Sequence, residues 1–206
     1  MSLMAVDIVL LPPEEVMDVC IDIHKKAAKT YSGLNKKDYF SHISLVMAVV
    51  DEKDLPKINL MLEEVSKEFS SMDFEITGIH GFDTGFNHTS WSFEMKLTPE
   101  VKKLHIELMN GIKPFHIPKK TEQEMFYRDP GETINELSSS WVDNYQNNHT
   151  EPDKFFPHIS LNCDKPTYDE LPIRFTASKL AMFQLGNFCT CRKILFSTEL
   201  KLDRSI

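Results

Sequence analysis

The chain has 206 residues, 41% hydrophobic and 26% charged, which suits one large domain or two small lobes rather than a multidomain array and argues against disorder as its main state. Its 23 Lys and Arg against 31 Asp and Glu leave a formal charge of −8, a poor match for coating long nucleic acid. A nucleotide or a short RNA end stays open, because a few local groups can outweigh the global field.

The elements read as follows in chain order. Ala5 to Leu11 is a β-branched run closed by Pro12-Pro13, a strand and its stop. Pro13 to about Thr30 places Val16, Val19, Cys20, Ile23 and Ala27 at helical spacing, with Gly33 just beyond. Tyr39 to Val50 is a strand, and Asp54 to Phe69 a second amphipathic helix. Strands follow over Asp73–Ile79 and Ser90–Leu97. Thr98-Pro99-Glu100 then opens a third helix, with Thr98 as N-cap and Pro99 at its first position.

Lys113 to Lys154 is a long connection holding four prolines and one helix near Glu132–Tyr145, of a length that suits a cover over a site. Phe155 to Cys163 is again β-like, and Ile173–Leu185 and Cys189–Leu202 are two last strands about Gly186. Strands and helices mix without strict alternation, which favours α+β with antiparallel sheet over a doubly wound parallel one. No run of roughly 18 apolar residues occurs and no basic segment precedes the first strand, where Asp7 interrupts the apolar run, so neither a membrane span nor a signal peptide is expected. Cys20, Cys163, Cys189 and Cys191 form no CxxC pair; they read as reduced thiols of a cytoplasmic protein. Gly78, Gly81 and Gly85 match neither a P-loop nor a dinucleotide fingerprint.

One feature stands above composition. His42-Ile43-Ser44-Leu45 recurs letter for letter as His158-Ile159-Ser160-Leu161, 116 residues later (158 − 42), with an aromatic residue two positions upstream each time, Phe40 and Phe156. Strand alternation points each His and Ser to one face and each Ile and Leu to the other. If the two strands meet about a pseudo-twofold axis, two imidazoles and two hydroxyls converge in one cleft. Two histidines on one phosphorus serve as general base and general acid, and two hydroxyls hydrogen-bond the non-bridging oxygens. That chemistry needs neither a metal nor a cofactor. Neither tetrad carries a carboxylate at fixed spacing to orient its serine as a nucleophile, and no GxSxG elbow occurs.

The two tetrads, the context Phe155-Phe156-Pro157-His158-Ile159-Ser160-Leu161, the opening strand–helix unit and the closing strand pair resemble the two-histidine (2H) phosphoesterases, including the 2′-5′ RNA ligase-like proteins and cyclic phosphodiesterases. The resemblance covers most of the chain, with Lys113–Lys154 longer than in compact members. It implies a single bilobal α+β domain over residues 1–206, with two antiparallel sheets and flanking helices around a central cleft. It also implies catalytic His42 and His158 and phosphate-binding Ser44 and Ser160, with the first histidine protonating the leaving oxygen and the second activating water. Phe40 and Phe156, on the histidines' face by spacing, are candidates for base contact. The implied activity is metal-independent hydrolysis of a 2′,3′-cyclic phosphate or a 2′-5′ linkage on a nucleotide or RNA end. The alternatives are a non-catalytic AMP-binding module of the same fold and an RNA-end ligase.

Overall fold

The computed structural model describes residues 2–27, 40–86, 89–148 and 154–201. Among them are eight strands and four α-helices. In chain order these are β1 (Leu3–Leu11), α1 (Glu14–Ala27), β2 (Ile43–Asp51), α2 (Leu55–Glu68), β3 (Met72–Asp83), β4 (Thr89–Met95), α3 (Pro99–Ile112), α4 (Glu136–Asn148), β5 (His158–Ser160), β6 (Ile173–Ala177), β7 (Lys179–Leu185) and β8 (Cys191–Glu199). Thr98 caps α3 as the sequence predicts, its hydroxyl accepting from the Val101 amide at 3.3 Å. The predicted end of the first helix near Thr30, with Gly33 beyond it, lies outside the described residues.

The α+β class holds, but the arrangement differs from two separate sheets. The strands form one antiparallel sheet in the order β6-β3-β4-β5-β2-β1-β7-β8. Its two halves are joined by β5, only three residues long, in which Ile159 pairs with Ile43 on one side and Phe93 on the other. Ile173–Leu185, expected as one strand, breaks at Ser178 into β6 and β7. β6 is an edge strand and β7 lies near the opposite edge, yet one residue separates them. Consecutive Cα atoms are about 3.8 Å apart, so the sheet must bend until its two arms approach at Ser178.

Both faces are covered, which is why β1 and β2 read as nearly unbroken apolar runs. On one face α1, α2 and α3 bury Cys20, Ile58, Leu62, Leu104 and Leu108 against Val6, Ile8, Ile43, Leu45, Ile159 and Leu161. On the other, α4 and the segment before it bury Met125, Phe126, Ile134, Val142 and Tyr145 against Ala5, Met47, Val49 and Leu185. The long connection is therefore a cover, as its length suggests.

Because β5 is so short, β2 has no strand partner on that edge beyond Ile43. Its carbonyls are satisfied in other ways, as buried backbone must be. The Leu45 carbonyl accepts from the Tyr145 hydroxyl at 2.9 Å and lies 2.8 Å from His105 Nδ1; the Met47 carbonyl accepts from Gln146 Nε2 at 2.8 Å. The Ile117 amide donates to the Val49 carbonyl at 2.8 Å. These contacts hold α4 above β2 and leave a cleft between the helix and the two tetrads.

Candidate active site

The strand register brings the two tetrads together. Antiparallel pairing of Ile43 with Ile159 sets His42 across from Ser160 and Ser44 across from His158. Ile43, Leu45, Ile159 and Leu161 are fully buried beneath the helices. The four polar side chains line one cleft together, with Trp141 and Tyr145 of α4 on its far wall. The inner chamber has a cavity volume of about 80 Å³ and opens past His158, Phe156 and Trp141 into an outer one of about 440 Å³ lined by Phe82 and Phe86. The first is phosphate-sized; the second admits a nucleoside.

Both histidines are held the same way. His42 Nδ1 lies 2.7 Å from the Phe40 carbonyl, and His158 Nδ1 lies 2.9 Å from the Phe156 carbonyl. A carbonyl only accepts, so each Nδ1 carries the proton and Nε2 is the nitrogen that can exchange one. The two upstream aromatics thus share a backbone role that spacing alone did not suggest. Their side chains part company. The Phe156 ring is 41% exposed, lies 5.7 Å from the His158 ring at 24° and lines both chambers. The Phe40 ring packs on Phe183 at 5.2 Å and does not line the cleft, which corrects its expected base contact. Ser41 and His42 precede β2, so strand alternation does not extend back to Phe40.

Asp7 is the residue that pattern reasoning missed. It is fully buried on β1, and Ser44 Oγ donates to its Oδ2 at 2.6 Å, with His42 Nε2 3.7 Å from the same oxygen. A charge inside the otherwise apolar stretch Leu3–Leu11 was the available signal. Burial pushes the Asp7 carboxyl well above the usual carboxylate range, against the pull of Ser44. Burial also pushes His42 down to about 4; the Phe40 carbonyl opposes this and nearby His158 adds to it.

Arg192, His105 and His24 each have structural partners. Arg192 donates to Asp129 Oδ2 at 2.7 Å and lies over the Tyr127 ring, so it does not reach the cleft. His105 is buried, stacked on Phe155 at 4.0 Å, and His24 is buried with Nδ1 2.8 Å from the Asn162 carbonyl. Cys163 lies in the core, and none of the four cysteines is in a disulfide. No described residue lining the inner chamber is Lys or Arg, so the imidazoles are the groups there that can bring positive charge to an anion.

An α+β chain with one antiparallel sheet and paired His-Ile-Ser-Leu strands lining a cleft defines a LigT-like architecture. No family model matches the chain, and no curated protein matches it. Among solved structures it is similar to TT0787 of Thermus thermophilus, with TM-score 0.62 and 15% identity over 97% of this chain and 100% of that one. It is similar also to E. coli LigT complexed with NADP+, with TM-score 0.54 and 12% identity over 96% and 98% of the two chains. E. coli LigT complexed with ATP gives 0.53 and 10% over 98% and 99%, and LigT has also been solved with 3′-AMP and with phosphate. These likenesses are of fold, and they meet the expectation of a two-histidine phosphoesterase fold drawn from the tetrads.

Proposed function

We propose that the protein is a two-histidine phosphodiesterase that hydrolyses a 2′,3′-cyclic phosphate or a 2′-5′ linkage at a nucleotide or short RNA end. One observation carries this reading: two identical tetrads paired through Ile43 and Ile159, each histidine tied by Nδ1 to the carbonyl two residues back, both lining one cleft. The nucleotides held by LigT, a protein of the same fold, support it.

The burial that keeps His42 neutral suits it to be the base. His42 Nε2 takes a proton from water as the water oxygen bonds to phosphorus. The bond from phosphorus to the departing ribose oxygen breaks, and that oxygen takes the proton of His158 Nε2. The product is a phosphomonoester and a free hydroxyl, and exchange with solvent restores both rings. This assignment reverses the order implied by the family resemblance, and it follows from His42 being the more enclosed ring. Ser160, and Ser44 braced by Asp7, flank the phosphoryl oxygens.

The test is turnover in EDTA of 2′,3′-cyclic nucleotides, 2′-5′ oligoadenylate and 3′-5′ RNA, with His42→Ala and His158→Ala alongside. The expected result is hydrolysis of the cyclic phosphate or the 2′-5′ linkage, lost in both variants. Saturable AMP binding with no turnover of any substrate would refute the enzyme and favour a nucleotide-binding module. Joining of RNA ends would favour a ligase.

A further inference from the structure

Three donors of three chemical kinds meet behind the cleft wall, which His42 alone of the three lines. Asp7 of β1, His42 before β2 and Cys191 at the start of β8 bring a carboxylate oxygen, an imidazole nitrogen and a sulfur within 4.8 Å of one another. All three residues are buried. Asp7 Oδ2 and His42 Nε2 are 3.7 Å apart. Two such atoms on one tetrahedral zinc ion lie about 3.3–3.5 Å apart, given bonds of about 2.0–2.2 Å, so this pair closes with a shift of tenths of an ångström, and Cys191 Sγ, within 4.8 Å of both, moves in to complete the set.

The surroundings fit ligation. Metal-bound histidines characteristically donate their second ring N–H to a carbonyl or carboxylate, and His42 Nδ1 already engages the Phe40 carbonyl. Asp7 Oδ2 is braced by the Ser44 hydroxyl, while Oδ1 is buried with no hydrogen-bond partner among the described residues. A buried carboxyl oxygen without a partner is costly, and a cation that Asp7 holds through both oxygens satisfies Oδ1 as well as engaging Oδ2. One carboxylate, one thiolate and a neutral imidazole balance a divalent charge, leaving a buried site with no net charge. The set S, N, O selects zinc and its analogues cobalt and cadmium over magnesium and calcium, which take oxygen ligands.

We propose that Asp7, His42 Nε2 and Cys191 Sγ form a binding site for one zinc-class divalent cation behind the cleft wall, and that its occupancy inhibits the enzyme by withdrawing His42 from proton transfer. Binding releases the thiol proton to water. The fourth position of the ion is left to a water or a substrate oxygen. The inhibition rests on the proposed role of His42 as base; the binding does not.

The probe is cobalt(II) added to the EDTA-stripped, desalted full-length protein, read by absorption, with zinc displacing it. The expected result is one equivalent bound, with a sulfur-to-cobalt charge-transfer band and the visible bands of a tetrahedral ion. Cys191→Ala and Cys191→Ser abolish the charge-transfer band and weaken zinc binding at least about tenfold. Cys189→Ala retains the band. In turnover assays zinc inhibits the wild type, and Cys191→Ala, measured against its own activity in EDTA, resists zinc. Absence of the band at one equivalent, its survival in both Cys191 variants, or its loss in Cys189→Ala would overturn the site. A cobalt band in a protein that turns over no phosphodiester would sink the enzyme reading and leave the metal site standing. Turnover in EDTA without the band would do the reverse.

Discussion

The burial of His42 makes a prediction that needs no substrate. Its imidazole is held at about 4, against an ordinary 6.5 in the unfolded chain, chiefly because the folded site cannot solvate its charge. Above pH 6.5 both states carry a neutral ring and this group costs nothing. As pH falls below 6.5 the unfolded chain takes up a proton that the folded chain refuses, so stability drains between 6.5 and about 4. The full gap of about 2.5 in pKa is worth about 3 kcal/mol, and about 2.5 kcal/mol of it is gone by pH 4.5. His42→Asn does not titrate and escapes this loss. Urea unfolding of both proteins in EDTA at pH 7.5 and 4.5, followed by circular dichroism, gives the comparison. The wild type should lose more stability than the variant, by a midpoint difference on the order of 1 M urea. Inorganic phosphate, an anion beside the imidazoles, should shrink that difference by favouring the protonated ring. Equal losses in wild type and variant would refute the claim that His42 is a desolvated, neutral base.

Four further outcomes follow from the structure. His42→Ala and His158→Ala should each lower kcat about 10³-fold, within the range of general acid–base catalysis, and the double variant should be little worse than either, as for groups acting together in one step. Ser44→Ala and Ser160→Ala should each lower kcat about 10²-fold with the fold intact by circular dichroism, as for loss of one donor to a developing charge. Phe156→Ala should raise KM about tenfold for a nucleotide and leave it unchanged for a phosphodiester lacking a base, since stacking on a base is worth about 1–3 kcal/mol. Phe40→Ala should leave both KM values alone and lower the unfolding free energy by about 2 kcal/mol through its contact with Phe183.

The repeated tetrad, the alternation that sends Ile43 and Leu45 inward, and the Thr98-Pro99 cap are local patterns, and a sequence carries local patterns whole. They sufficed to name His42, Ser44, His158 and Ser160 and to expect a cleft between two halves. Partners that arrive from elsewhere in the chain were not legible. Asp7 meets Ser44 only because β1 pairs with β2, and Cys191 meets Asp7 only because β8 starts beside that pair. The Phe40 ring turned away because β2 begins at Ile43, four residues after Tyr39, where the β-rich run begins. The join of two half-sheets into one depended on three residues of β5 finding partners on both sides, and the bend at Ser178 on two arms of that sheet meeting. Sequence by itself determined that His42, Ser44, His158 and Ser160 line one cleft, because periodicity fixes the face on which a strand residue lies. Tertiary structure alone decided how those side chains are tuned, because the dryness that neutralises His42 and strands Asp7 is made by β1, β8 and α4, which close over the site from distant parts of the chain.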